Sequence, residues 1–304
     1  MKDLYRYIWK VSARQQIVLS VLAVALFLIE FVPLELQRRI VNSAVAHQEF
    51  GYIGMLCLIY VAVALVHGGT KLVLNVYQSS VGEAAILRLR EQVHGPGHAS
   101  KHEGVAIPVI LAEVEVVGGF IASSFSVPLL NGGILLSVLG YMVYTQPWLA
   151  LVALLLFCPQ VLFIPLLQAA INRRTASRIR VLRAVSVDII DGAVDGVKAG
   201  DDRKFLRRIR DVYRLNIEVF RRKFGMNFLM NLMYQLGVIG ILSVGSWLLL
   251  QGKTELGTIV AFISGLNRMN DPWGDLVDFF RGLSNAGVRF RLIMTTLGKS
   301  ASGP

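Results

Sequence analysis

Residues 17–36 read IVLSVLAVALFLIEFVPLEL, a run in which Glu30 and Glu35 are the only ionisable side chains. A helix needs about 20 mostly apolar residues to cross the hydrocarbon core of a bilayer. Outward from this run, five more stretches have a similar makeup: Ile53–Val76, Ile107–Tyr144, Trp148–Ala170, Phe228–Leu250 and Leu256–Phe280. The third exceeds one crossing and is expected to protrude from the bilayer or tilt. The sixth is apolar only in its first half. Across the 304 residues, 54% are hydrophobic and 17% charged, against about 25% charged in a soluble globular protein. No small-residue cleavage site follows the first run, so it does not read as a signal peptide. The expected fold is all-α: a polytopic membrane protein with six long transmembrane helices that extend into the cytoplasm.

The placement of charge sets the expected orientation. Fifteen of the 31 Lys and Arg lie between Arg173 and Lys223, and Lys2, Arg6, Lys10 and Arg14 precede the first run. With six crossings and both termini on one side, these clusters share a face, which the positive-inside rule makes cytoplasmic. The opposite loops are short and carry little excess charge, Arg38 and Arg39 excepted. The formal net charge of +11 therefore reads as membrane orientation, and nucleic acid is not an expected partner. The implied setting is a multi-pass integral protein of a bacterial inner (plasma) membrane. Cys57 and Cys158 sit inside apolar runs and are expected to be buried thiols without a disulfide.

Between Arg173 and Lys223, apolar residues recur at helical spacing (Val181, Val185, Ile189, then Phe205, Ile209, Val212) with charges between them. Two amphipathic helices are predicted, joined near Asp195–Asp202. They continue the fourth and fifth membrane helices into the cytoplasm by about 25 residues, roughly 35–40 Å. Gly95-Pro96-Gly97 punctuates the connection between the second and third runs. The chain divides into a cytoplasmic segment 1–15, a six-helix domain 16–297 with two intracellular loops, and a polar tail or linker start 298–304.

Four stretches carry a family resemblance. GKTELGTIVAFISGLNRMNDP (Gly252–Pro272) resembles the entry into the last membrane helix of ATP-binding-cassette (ABC) exporter transmembrane domains, with Gly252, Thr254, Gly257, Ala261, Phe262 and Pro272 matching. Gly252 and Gly257 read as allowing a tight turn at the outer face. GVAIPVILAEVEVVGGFI (Gly104–Ile121) resembles the first intracellular loop, with Gly104 at the family's glycine and Glu113 at its acid. VDGVKAGDDRKFLRRI (Val194–Ile209) resembles the second loop through Lys198, Asp202 and Phe205. SNAGVRFRLI, around Arg289, is similar to the exit toward the ATPase.

The resemblance implies a half-transporter that pairs with a second transmembrane domain, identical or not, and with a nucleotide-binding ATPase domain or subunit. Its surfaces for coupling to that domain would be Gly104, Ala106, Ile107 and Pro108 in the first loop, and Val197, Lys198, Ala199, Gly200 and Asp201 in the second. ATP and magnesium would bind the partner; no cofactor is expected on this chain. A phosphate-cradling loop needs G-x-x-x-x-G-K-[ST], and Gly298-Lys299-Ser300 supplies only its end, because Ile293 stands at the first glycine. No nucleophile–base pair or metal constellation marks a catalytic site. His94, His98 and His102 are spaced by four, but Gly95-Pro96-Gly97 breaks the helix that would align them. Glu83-Ala84-Ala85 is similar to the importer loop, with Leu89 where its glycine belongs.

Ionisable residues inside membrane runs are costly and point to function. Arg268, Asp271, Asp275 and Asp278 share one helical face, which reads either as the wall of a water-filled translocation cavity or as a helix that has already left the bilayer. Glu30 is a further cavity candidate, while Glu35 reads as interfacial. His67, Lys71 and Asn75 mark one face of the second helix. Met226, Met230 and Met233 form a stripe that reads as packing. The candidate cavity set is Glu30, His67, Lys71, Arg268, Asp271 and Asp275. The function expected is the membrane-spanning subunit of an ABC exporter. The alternative is a regulatory, non-transporting relative, favoured by Pro108 and Val109 where the family has serine and arginine.

Overall fold

The computed structural model describes residues 2–94, 106–195 and 202–296. Within them the chain is all-helical: α1 (Lys2–Glu30), α2 (Val32–Val45), α3 (Phe50–His94), α4 (Ala106–Ser123), α5 (Ser126–Thr145), α6 (Pro147–Asp195), α7 (Asp202–Leu250) and α8 (Leu256–Thr296). Five spans are long and apolar enough to cross a membrane: Asp3–Val45, Phe50–Glu91, Ser126–Thr145, Pro147–Thr175 and Phe205–Leu250. The sixth expected run falls on α8, which is not among them. Arg268, Asp271, Asp275, Asp278 and Arg281 interrupt its apolar sequence.

The chain divides into two compact units, 1–151 with 241–304 and 152–240. In the first, α8 packs against α2, α4 and α5, and α3 against α1, α2 and α4. Its main core joins Leu4 and Ile8 of α1, Ile86 and Leu89 of α3, Val117 and Ile121 of α4, and Phe279, Phe290 and Ile293 of α8. The outward side of α3 is strongly apolar, with Met55, Leu58, Leu65 and Leu72 each more than 60% exposed. Apolar surface of that extent suits lipid contact rather than water.

Three breaks follow from local chemistry. Pro33 sits in the first turn of α2, where its missing N–H costs nothing, and the chain bends at Phe31. Leu34 then donates to the Phe31 carbonyl at 3.0 Å. The long third run divides at Ser124-Phe125 into α4 and α5 instead of tilting as one helix. Ser124 Oγ donates to the Ile121 carbonyl at 2.9 Å, and Gln16 Nε2 donates to the same oxygen at 2.8 Å. The two groups satisfy backbone that lipid could not. At the third break, Gly252 takes a φ of +67° in the turn after α7, the left-handed conformation expected of it.

Gly257 has a different role from the one its sequence suggested. It lies within α8, where an added Cβ would come 2.2 Å from the Arg38 carbonyl oxygen. Its glycine therefore permits the close approach of α8 to α2. Asn42 Oδ1 accepts from the Gly257 N–H at 2.8 Å, and Asn42 Nδ2 bonds Glu255.

In the second unit, α6 and α7 continue without interruption from the apolar runs into the basic stretch, each helix being 49 residues long. Arg178 Nη1 donates to Asn216 Oδ1 at 3.1 Å, and Arg174 pairs with Glu218 at 3.3 Å. Apolar side chains such as Leu162, Leu166, Tyr213, Phe224 and Phe228 stay exposed.

Cys57 and Cys158 are free and exposed, which corrects the expectation of burial. In a helix facing lipid, an apolar position can point outward as readily as inward, so an apolar neighbourhood does not imply burial.

Candidate functional site

Within the first unit, α1, α3, α4, α5 and α8 line a half-open cavity of about 640 Å³. All six residues of the candidate set line it: Glu30 from α1, His67 and Lys71 from α3, and Arg268, Asp271 and Asp275 from α8. Helical spacing puts them there. On α3 the lining positions 67, 71, 75 and 78 recur every three or four residues, as do 268, 271, 275 and 278 on α8. From Arg268 to Asp278 the cavity follows α8 for about 15 Å at 1.5 Å per residue.

One end of the cavity is tied across three helices by Glu30, which is 9% exposed. His67 Nε2 lies 2.7 Å from Glu30 Oε2, and Arg268 Nη1 contacts Glu30 Oε1. Arg268 Nη1 also donates to the Glu30 backbone oxygen at 3.3 Å. That carbonyl is free because the α1–α2 bend has drawn the Leu34 N–H to Phe31. Carboxylate, imidazole and guanidinium thus link α1, α3 and α8 with charge-assisted bonds, the stronger class of hydrogen bond.

Glu35, five residues on, does not line the cavity. Arg38 Nε and Arg39 Nε donate to it at 2.9 Å and 2.7 Å, and the Tyr141 hydroxyl donates at 3.0 Å. Lys71, Asp271, Asp275 and Asp278 are exposed at the other end of the cavity. Asp275 is close enough to Asp271, Asp278 and Lys71 to feel all three charges. Asp278 is also held by Arg281 at 3.0 Å.

Several lining residues were not singled out from sequence: Gln78, Ser123, Ser126, Asn131 and Asn267. Each is an uncharged polar residue in or beside an apolar run, without a charge to mark it. Asn131 carries the clearest signal of these, an amide in the middle of the third run.

Two residues taken from separate stretches of the family resemblance meet in space. Arg289 Nη1 of α8 lies 2.8 Å from Glu113 Oε2 of α4. The Met226, Met230 and Met233 stripe lies on α7 in the second unit, partly buried, and none of the three is among the cavity-lining residues. Of the expected coupling positions, Gly104, Val197, Lys198, Ala199, Gly200 and Asp201 lie outside the described residues. Ala106, Ile107 and Pro108 open α4, within the helix but without described side chains. His98 and His102 are also outside the described residues. Among the described ones no group of three or more His, Cys, Asp or Glu side chains could hold a metal ion.

Comparison with protein-family models and with curated proteins finds no match. The chain is an all-helical protein with five candidate membrane-spanning helices. Within the first unit the helices line a cavity with charged side chains, beside a core that is apolar.

Proposed function

We propose that this chain is the membrane-spanning half of an ABC-type exporter, with α8 as a sixth crossing and the ATPase on another polypeptide or on a segment beyond this sequence. The observation that carries the reading is the cavity, whose charged lining would be costly inside a bilayer without a solvated or ligand-bearing pathway. The hydropathy of α8 fits the same role. It buries Ile259, Phe262, Leu266 and Met269 against the bundle and turns its charges to the cavity, so it needs no lipid-facing apolar surface all round.

With both termini cytoplasmic, α8 enters from the outer face, and Arg268 lies about 18 Å along it from Leu256. The Glu30–His67–Arg268 link would then seal the outer end of the pathway, and the Asp271–Asp278 end would open inward. The unbroken passage of α6 and α7 into the basic stretch supports long intracellular extensions that end at 196–201. There the family resemblance puts contact with a nucleotide-binding domain. A second transmembrane domain would complete the pathway.

The experiment is copurification of the chain from native membranes, with identification of the proteins it retains. A bound nucleotide-binding ATPase is the expected result. Recovery of none across several detergents would instead favour the non-transporting, regulatory reading.

A further inference from the structure

The transport reading leaves open what the cavity is built to hold, and its charge balance is specific. Glu30 is matched by Arg268, and Asp278 by Arg281. Asp271 and Asp275 lie within 4.0 Å of no Lys, Arg or His nitrogen among the described residues, and Lys71 is the remaining cation on the lining. Two carboxylates thus stand against one ammonium, an excess of one negative charge at the exposed end of the cavity.

A second observation points to a ligand. Asn131 is 6% exposed, lines the cavity, and makes no side-chain hydrogen bond among the described residues. The Asn131 amide therefore keeps its hydrogen-bonding capacity for whatever fills the cavity. Its accessible neighbour is the cavity space itself, so a hydrogen-bonding occupant would satisfy it.

Spacing narrows the class of occupant. Asp271 and Asp275 succeed one another at about one helical turn, a rise of about 6 Å. In an extended alkyl amine, three or four methylenes put successive nitrogens a similar distance apart, about 5–6 Å from ordinary bond lengths. The rest of the lining is rich in hydrogen-bonding groups (Asn75, Gln78, Ser123, Asn267), which suits a hydrophilic chain more than a bulky apolar one.

We propose that the cavity binds a linear polyamine, two of its ammonium groups set along Asp271 and Asp275 and its N–H groups reaching the Asn131 amide oxygen. This names the cargo of the transport reading and rests on that reading only for carriage; binding stands without it. Lys71 opposes the ligand's charge, so its removal strengthens binding.

The test is calorimetric titration of spermidine into the purified full chain, in nanodiscs of zwitterionic phosphatidylcholine at physiological ionic strength. Saturable binding is expected. Asp275→Asn weakens it about ten- to hundredfold, the range for a lost charge-assisted hydrogen bond. Asp271→Asn acts in the same direction, and Lys71→Met tightens binding several-fold. Thermal melting of each variant checks folding, and the gain in Lys71→Met is a result that misfolding cannot imitate.

Absence of saturable binding overturns the proposal. So does affinity unchanged in both aspartate variants and in Lys71→Met, or equal displacement by magnesium, which would mark a generic counterion site. Spermidine binding without any recovered ATPase would sink the transport reading and leave the ligand in place. A recovered ATPase without spermidine binding would do the reverse.

Discussion

The helical bundle of 1–151 with 241–296 and the α6–α7 pair of 152–240 are built from the same ingredients, apolar runs and many charges, arranged in opposite ways. The bundle turns charges inward and ties them between helices: Glu30 to His67 and Arg268, Glu113 to Arg289. In the α6–α7 unit the Arg174–Glu218 pair sits in the open, with side chains 45% and 35% exposed, while Phe220, Phe224 and Phe228 remain uncovered. The bundle therefore specifies its own interior through buried, directional contacts. The α6–α7 unit leaves apolar surface that lipid or another protein must cover.

Substitutions can break that contrast, most strongly where backbone meets backbone. Gly257→Val puts a branched side chain into the Arg38 carbonyl, and about 3 kcal/mol of stability should be lost, since overpacking against main chain has no flexible side chain to absorb it. Thermal unfolding of the detergent-solubilised chain reads this out. Glu30→Ala should cost about 2 kcal/mol by leaving Arg268 and His67 without their acceptor; the same melting assay applies, and an unchanged midpoint would mean the three-helix link is not formed.

Arg289→Ala should cost about 1 kcal/mol, as expected for a partly exposed pair. Exchanging the charges, Glu113→Arg with Arg289→Glu, should recover part of the loss, which neither single change does. Smallest of all, Arg174→Ala should shift stability by about 0.5 kcal/mol or less. A larger loss there than at Glu30 would invert the comparison between the two units.

Much of the cavity wall was legible in the sequence because helices have a fixed period. Arg268, Asp271 and Asp275 declare a shared face by spacing alone, as do His67 and Lys71. Sequence could not show that Glu30 would bridge those two faces, because the link depends on how α1 meets α3 and α8 and on the carbonyl freed at the Phe31 bend. Asn131 escaped notice since one amide in an apolar run has no periodic partner.

The division of the third run had a local signal in Ser-Ser-Phe-Ser-Val-Pro (123–128): proline at the third position of α5 suits a helix start. The exposed cysteines escaped for another reason. Hydropathy distinguishes water from non-water, and cannot tell a neighbouring helix from a lipid tail. Gly257 was singled out correctly as a glycine that matters, but its turn-like role was inferred from the family stretch, while the structure uses it for helix contact.

The account rests on a wet, charged interior inside a bundle whose outside meets lipid. Single cysteines introduced by Asp275→Cys and by Leu65→Cys, each in a background with Cys57→Ser and Cys158→Ser, test this in native membranes with a water-soluble maleimide. Rapid labelling at position 275 and protection at position 65 is the expected result. Protection at 275 together with rapid labelling at 65 would contradict the account.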